Sequence, residues 1–185
     1  MSVRYILKPA VSLFITAAIT IALLSVVHTL TLPPIAKQKQ KNQEAAMRAV
    51  LPGASGYREL PVEKTGSISA VYEGINNGAV SGYVLQLSPQ GYSGSIDLMV
   101  GISASAKKIT GLRVLRHSET PGLGALAVKE DFYTRYEDKE LVPLKVVRTS
   151  PGKHEINAIT SATITTRAIT GAVNEAIEWY RGSVK

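Results

Sequence analysis

Asn157-Ala158-Ile159-Thr160-Ser161-Ala162-Thr163-Ile164-Thr165-Thr166-Arg167-Ala168-Ile169-Thr170 places the hydroxyls of Thr160, Ser161, Thr163, Thr165 and Thr166 directly ahead of an amphipathic run. Ile164, Ala168, Ile169, Ala172, Val173, Ala176, Ile177 and Tyr180 recur at the spacing of a helix with one apolar stripe. A closing helix packed on a core is therefore predicted to begin at the hydroxyl cluster. Two uses of that cluster are physically open. Ser and Thr cap helices because their oxygens accept the N–H groups that the first turn leaves free. The same free N–H groups, with the positive end of the helix dipole, form a seat for a phosphate.

Upstream, alternation replaces helical periodicity. Ser67 to Ile75 and Ala79 to Leu87 flank Asn76-Asn77-Gly78, and Asn-Gly is a strong hairpin signal because both residues tolerate positive φ. Ser93 to Ile102 and Lys108 to Arg116 continue the pattern, predicting an antiparallel meander with one face on a core. Leu123 to Tyr136 reads as a helix burying Leu126, Phe132 and Tyr133, and Leu144 to Val147 as a last strand. The fold class expected is α+β: one antiparallel sheet with helices packed on it.

Between the meander and that helix lies His117-Ser118-Glu119-Thr120-Pro121-Gly122-Leu123-Gly124. Pro121-Gly122 suits the central pair of a type II turn, where Gly supplies φ > 0. Such a loop is either an ordinary solvated turn or one wall of a cofactor pocket. In the second case Gly124 lets backbone approach something flat, and Glu119 and Thr120 are placed to hydrogen-bond a heterocycle's edge. Gly91-Tyr92-Ser93-Gly94-Ser95-Ile96, by itself, reads as a glycine-containing approach to a strand.

The N-terminal stretch is of another kind. Residues 1–8 form a short basic terminus. Pro9 to Leu32 holds no charged residue and exceeds the roughly 20 residues needed to span a bilayer. No Ala-x-Ala cleavage signal precedes Lys37, so an uncleaved anchor is expected over residues 9–32. Residues 33–52 read as a juxtamembrane helix, with Pro33-Pro34 in its first turn and Pro52-Gly53 as its stop. Ala45, Ala46, Ala49 and Val50 are its candidates for docking on the domain at 53–185. Arg4 and Lys8 on one side of the span nearly balance Lys37, Lys39 and Lys41 on the other, so the charge rule for orientation returns a tie.

Composition removes several function classes. The net charge is +7, but five of those charges flank the anchor, leaving about +2 elsewhere. Nucleic-acid binding, which needs a basic face on the domain itself, is not expected. Cysteine is absent, so the chain can hold no disulfide, thiolate-bound iron–sulfur cluster or c-type haem. His28, His117 and His154 lack metal-ligand spacing, and no metal site is expected. If this chain moves electrons, an organic cofactor or a partner must carry them.

Thr160-Ser161-Ala162-Thr163 resembles the Ser/Thr-Gly-Ala-Thr motif at which FMN is attached through a phosphoester to the last Thr. Gly91 to Ile96 resembles the same family's Gly-Tyr-x-Gly-x-Ile. His117 to Gly124 resembles its His-x-Glu-Thr-Pro-Gly-Leu-Gly signature. The three occur in family order behind a single anchor, and the likeness runs to Arg181. The chain is thus similar to the G subunits of Rnf ion-translocating electron-transport complexes, whose FMN-binding domain is related to that of the C subunits of Na⁺-translocating NADH:quinone reductases. It departs from the pattern at Ser161, where Gly is usual, at Asn157, where Asp is usual, and at Ser103 to Lys108, where an Asp and a Gly commonly precede the next strand.

The resemblance implies an electron-transfer subunit of a ferredoxin:NAD⁺ oxidoreductase, with covalent FMN on Thr163. Thr160, Ser161, Ala162, Thr166, Glu119, Thr120, Leu123 and Gly124 would contact the cofactor, and no residue would act as a catalytic acid or base. Partners implied are the other membrane and peripheral subunits, and a flavin transferase that makes the ester. The N-terminus would be cytoplasmic and the flavin domain extracytoplasmic. Alternatives within reach are the C-type flavin subunit of a quinone reductase, an extracellular electron-transfer flavoprotein, or a flavin-free scaffold subunit, which Asn157 would favour.

Overall fold

The computed structural model describes residues 3–62 and 65–184. A helix, α1, extends over Val3–Val50, and the chain divides into two units, Met1–Asn42 and Gln43–Lys185.

In the first unit the helix is apolar all round from Pro9 to Leu32. Leu13, Phe14, Ile21, Leu23, Leu24 and Leu30 are all exposed, the arrangement expected where the surroundings are lipid. Its threonine hydroxyls bond within the helix: Thr20 donates to the Thr16 carbonyl at 2.8 Å, and Thr29 to that of Ser25 at 2.8 Å. The helix is long and apolar enough to cross a membrane. Pro33 and Pro34 lie inside α1, so the expected new helix beginning there is not a separate element. Each proline removes one N–H from the ladder, and the flanking turns carry the helix across.

The second unit is built on a five-stranded antiparallel sheet in chain order: β1 (Gly56–Leu60), β2 (Ile68–Asn76), β3 (Ala79–Leu87), β4 (Asp97–Ser103) and β5 (Lys108–Arg116). The hairpin turn is as the sequence predicts. Asn76 pairs Ala79, with Asn77 at φ 50° and Gly78 at φ 80°. β4 begins later than expected, because Gly91-to-Ser95 closes into a turn, Gly91 N–H donating to the Gly94 carbonyl at 2.8 Å. β1 was not anticipated. Its residues lack alternation, and it forms by pairing with the outer edge of β2.

One sheet face carries Val71, Leu85, Leu87, Leu98, Val100 and Ile102, packed beneath α3 (Thr163–Ser183) through Ile169, Val173, Ala176 and Ile177. Tyr83 meets Trp179 and Tyr180 edge-on, with ring centroids 5.6 and 5.8 Å away. The opposite face carries Val84 and Met99, covered by Ala46, Met47, Val50 and Leu51. Of the docking residues expected there, Ala46 and Val50 are buried while Ala45 and Ala49 face outward; Met47 and Leu51 take their places.

The helix expected over Leu123 to Tyr136 is instead three short pieces: a 3-10 turn at Gly124–Val128, a single α-turn, α2 (Glu130–Tyr133), and a 3-10 turn at Thr134–Tyr136. Lys129, extended at φ −78° and ψ 148°, breaks the run. The expected strand near 144–147 is β6 (Lys145–Val147), and it pairs in parallel with a strand not foreseen, β7 (Glu155–Asn157). Asn174 fixes that small sheet to α3, accepting from the Leu144 N–H at 2.8 Å and donating to its carbonyl at 3.0 Å.

Candidate functional site

β7 delivers the chain into a tight turn, where the Ala162 N–H donates to the Ile159 carbonyl at 3.0 Å and Ser161 sits at φ 62°. This left-handed conformation is the one that glycine adopts without cost and other residues do not. α3 starts at once with Thr163. Its N-cap position is Ala162, at φ −132° and ψ 45°, and no side chain caps it.

The hydroxyl cluster therefore does not act as a cap. Thr166 is fully buried: its Oγ1 donates to the Ala162 carbonyl at 3.0 Å and accepts the Ile159 N–H at 3.1 Å, clamping the turn. Thr165 is also buried and donates to Glu119 Oε2 at 2.6 Å. The Thr163 hydroxyl is engaged by no described residue. Two hydroxyls thus hold the helix start in place, and the third, half-buried, is left at an uncapped N-terminus.

That hydroxyl opens on a cleft of about 400 Å³, lined by Tyr92, Glu119, Thr120, Leu123, Gly124 and the run from Ser161 to Thr165. The loop of residues 117–124 forms one wall. The Leu123 N–H donates to the Thr120 carbonyl at 3.1 Å with Gly122 at φ 79°, the type II turn expected at Pro121-Gly122. A Cβ on Gly124 would run into the Glu119 carboxylate and lie 2.6 Å from Thr165 Oγ1. Glycine here is demanded by packing at the cleft floor.

Of the residues singled out in the sequence, Thr163, Ser161, Ala162, Glu119, Thr120, Leu123 and Gly124 line this cleft. Thr160 lines an adjoining hollow of about 330 Å³ together with Ser161, Thr163 and the exposed Arg148. Thr166 does not reach the cleft.

Three lining residues were not singled out: Tyr92, Ile164 and Thr165. Tyr92 is 71% exposed and Ile164 54%, so both hold apolar surface in water at the cleft, with Leu123 beside them. Ile164 belongs to the apolar stripe by spacing, yet it faces the cleft and not the core. Three of the exposed large apolar side chains of the sheet-bearing unit meet at one opening, the pattern of a binding surface. Apolar walls, a floor without a Cβ and free helix-end N–H groups suit a ligand with a flat heterocycle and a phosphate, and FMN has both parts.

Comparison with known proteins adds two family matches. Residues 91–178 match the FMN-binding domain, and residues 1–50 the RnfG N-terminal region. The chain is 32% identical to the G subunit of the Na⁺-translocating ferredoxin:NAD⁺ oxidoreductase complex of Acetobacterium woodii, covering 98% of this chain and 95% of that one. It is 33% identical to the G subunit of the ion-translocating oxidoreductase complex of Methanosarcina acetivorans, over 95% of each chain. The crystal structure of the C subunit of the Na⁺-translocating NADH-quinone reductase of Parabacteroides distasonis shares the fold, with a TM-score of 0.62 over 81% of this chain and 95% of that one, at 17% identity.

Proposed function

The chain belongs to the G-subunit family of Rnf ion-translocating oxidoreductase complexes, a membrane-complex subunit with one N-terminal apolar helix and an FMN-binding domain; from that premise we propose that it transfers electrons on FMN esterified to Thr163. The observation that supports this most is the free Thr163 hydroxyl at the uncapped start of α3, opening on the cleft.

FMN, when bound, supplies redox chemistry in one- or two-electron steps. The residues of this chain bind and position it. On attachment Thr163 Oγ1 would form a P–O bond to the FMN phosphorus as the phosphoanhydride bond of an activated donor, held by a separate flavin transferase, breaks; the hydroxyl proton would pass to solvent and the donor's other phosphate would leave. The free N–H groups at the start of α3 and the exposed Arg148 meet the phosphate charge, alongside Thr160 and Ser161. Tyr92, Leu123 and Ile164 cover the apolar ring system, and Thr120 and Gly124 border it. No acid–base residue is needed, because electron transfer is the cofactor's own chemistry.

The division of labour along the chain is part of the same proposal: a cytoplasmic stub at 1–8, an anchor at 9–32, a juxtamembrane segment at 33–52 and the flavin domain at 53–185 on the extracytoplasmic side. Other Rnf subunits bring electrons to it and take them away. Covalent attachment keeps the flavin where no cytoplasmic pool could replace it.

The test is made on full-length protein from a host containing the transferase. Wild type should stay fluorescent under ultraviolet light on a denaturing gel and carry the added mass of FMN. Thr163→Val should lose both signals and remain folded. A wild-type chain of unmodified mass from that host would overturn the ester.

A further inference from the structure

Glu119 is 6% exposed, and both of its carboxylate oxygens are occupied by protein. Oε1 accepts the Ser93 N–H at 2.9 Å, and Oε2 accepts the Thr165 hydroxyl at 2.6 Å. The three residues belong to three separate segments: the turn after β3, the loop after β5 and the first turn of α3. Each segment also presents a residue to the cleft directly beside its attachment point. Tyr92 adjoins Ser93, Leu123 and Gly124 lie on the Glu119 loop, and Thr163 and Ile164 precede Thr165.

Space around the carboxylate is closed from two sides. A Cβ on Gly91 would lie 2.5 Å from Oε1, and one on Gly124 would meet Oε2. Charge-assisted hydrogen bonds of this kind are about twice as strong as neutral ones. Among the described residues no cation pairs with Glu119. Its two oxygens are held by these two donors.

We propose that Glu119 is a positioning residue, a carboxylate clasp that sets the distance between Tyr92, the 120–124 loop and Thr163, and that it acts on the flavin through them and not by hydrogen-bonding the ring. The proposal rests on the FMN reading for its functional consequence, but the clasp itself is a property of the protein alone. Glu119→Gln keeps it, because the amide oxygen accepts from Ser93 and the amide nitrogen donates to the Thr165 oxygen. Glu119→Ala removes it. Gly91→Ala strains it at Oε1, crowding Ile96 as well, from a position that does not line the cleft.

The experiment uses the full chain in detergent micelles and two readouts. The first is hydrogen exchange at the Ser93 amide, whose protection depends on Glu119. Wild type and Glu119→Gln should be protected, and Glu119→Ala should lose roughly tenfold or more. The second is the fluorescence anisotropy of gel-verified covalent flavin. It should fall in Glu119→Ala and Gly91→Ala and stay near wild type in Glu119→Gln.

An unprotected Ser93 amide in wild type overturns the clasp. Loss of anisotropy in both Glu119 variants with Gly91→Ala unmoved would make Glu119 a direct flavin ligand and also overturn it. If wild type carries no flavin yet Ser93 is protected and Glu119→Ala abolishes that protection, the clasp stands and the FMN reading falls.

Discussion

On one face of the sheet, Gly101 and Gly111 lie against the backbone of Val50; around Glu119, Gly124 at the cleft floor and Gly91 outside the cleft lining lie against its carboxylate. The atoms that crowd the two pairs differ. Behind the sheet they are main-chain atoms, further held by Thr110, whose hydroxyl donates to the Val50 carbonyl. Around Glu119 they are side-chain atoms: its carboxylate oxygens, with Thr165 Oγ1 beside Gly124 and the end of Ile96 beside Gly91. Close approach of backbone to backbone secures a helix end on a sheet. Close approach of backbone to a shared carboxylate fixes the shape of an opening. The first should respond to substitution through stability and the second through ligand geometry.

Gly101→Ala is the strongest test of that division. Its Cβ would enter the Val50 carbonyl and lie 2.6 Å from both the Val50 carbonyl carbon and Thr110 Oγ1, none of them a freely moving group. A loss of about 3 kcal/mol is expected in denaturant unfolding of the sheet-bearing unit. The molecules that remain folded should carry flavin with wild-type absorbance. An altered flavin spectrum in that folded fraction would mean that the two faces are coupled through β4, and the division would fail.

Gly124→Ala should do the reverse. Glu119 and Thr165 can yield slightly, so about 1–2 kcal/mol of stability is at stake. Flavin absorbance and potential should nonetheless shift, because the floor of the cleft has gained a methyl group. Unchanged flavin properties alongside a large stability loss would place Gly124 with Gly101.

Tyr136 probes the core packed beneath α3. It is fully buried, and its hydroxyl is 2.8 Å from Thr170 Oγ1. Burial pushes its pKa well above the ordinary tyrosine value. Because the unfolded chain ionises near pH ~10 while the folded one does not, the stability linked to this group is complete below that pH and falls as pH rises beyond it. Tyr136→Phe should cost about 1 kcal/mol at neutral pH, flatten the alkaline decline and leave flavin unaffected. An unfolding series against pH for both proteins checks all three.

The same contrast explains what was legible in the sequence. The Asn77-Gly78 and Pro121-Gly122 turns and the apolar stripe of α3 are local, and each was read from adjacent residues. The clasp is not local: Glu119 meets a partner 26 residues before it and another 46 after it. Nothing in a solvated-looking Glu-Thr pair announces that. Tyr92 stands in a motif legible in the sequence but not among the site residues read from it, since only the fold brings it beside Ile164. β1 borrows its conformation from the edge of β2, β6 and β7 from each other, and no glycine or proline in the sequence marks the break at Lys129. α1 continues through Pro33-Pro34 although the local rule predicts a new start there.

The smallest effect expected is also the one that bears most directly on the cleft. Ser161 is held at φ 62° in the turn before Thr163, and the family pattern has Gly there. Left-handed backbone costs a non-glycine residue on the order of 1 kcal/mol. Glycine removes that strain, but it gives the unfolded chain more freedom, which offsets roughly 0.5–1 kcal/mol. Ser161→Gly should therefore change stability by no more than a few tenths of a kcal/mol, with a sign that a careful denaturant titration can read. Its consequence for the cleft should be just as modest if the serine merely tolerates the turn, and flavin loading by the transferase would then match wild type. Ser161 also borders both the main cleft and the Arg148 hollow, so its hydroxyl stands where a phosphate on Thr163 would lie. A clear fall in loading for Ser161→Gly, with stability unchanged, would show that the hydroxyl itself contributes to phosphate binding. The serine would then be a functional replacement for glycine, and strain at this turn would join the cleft side of the comparison.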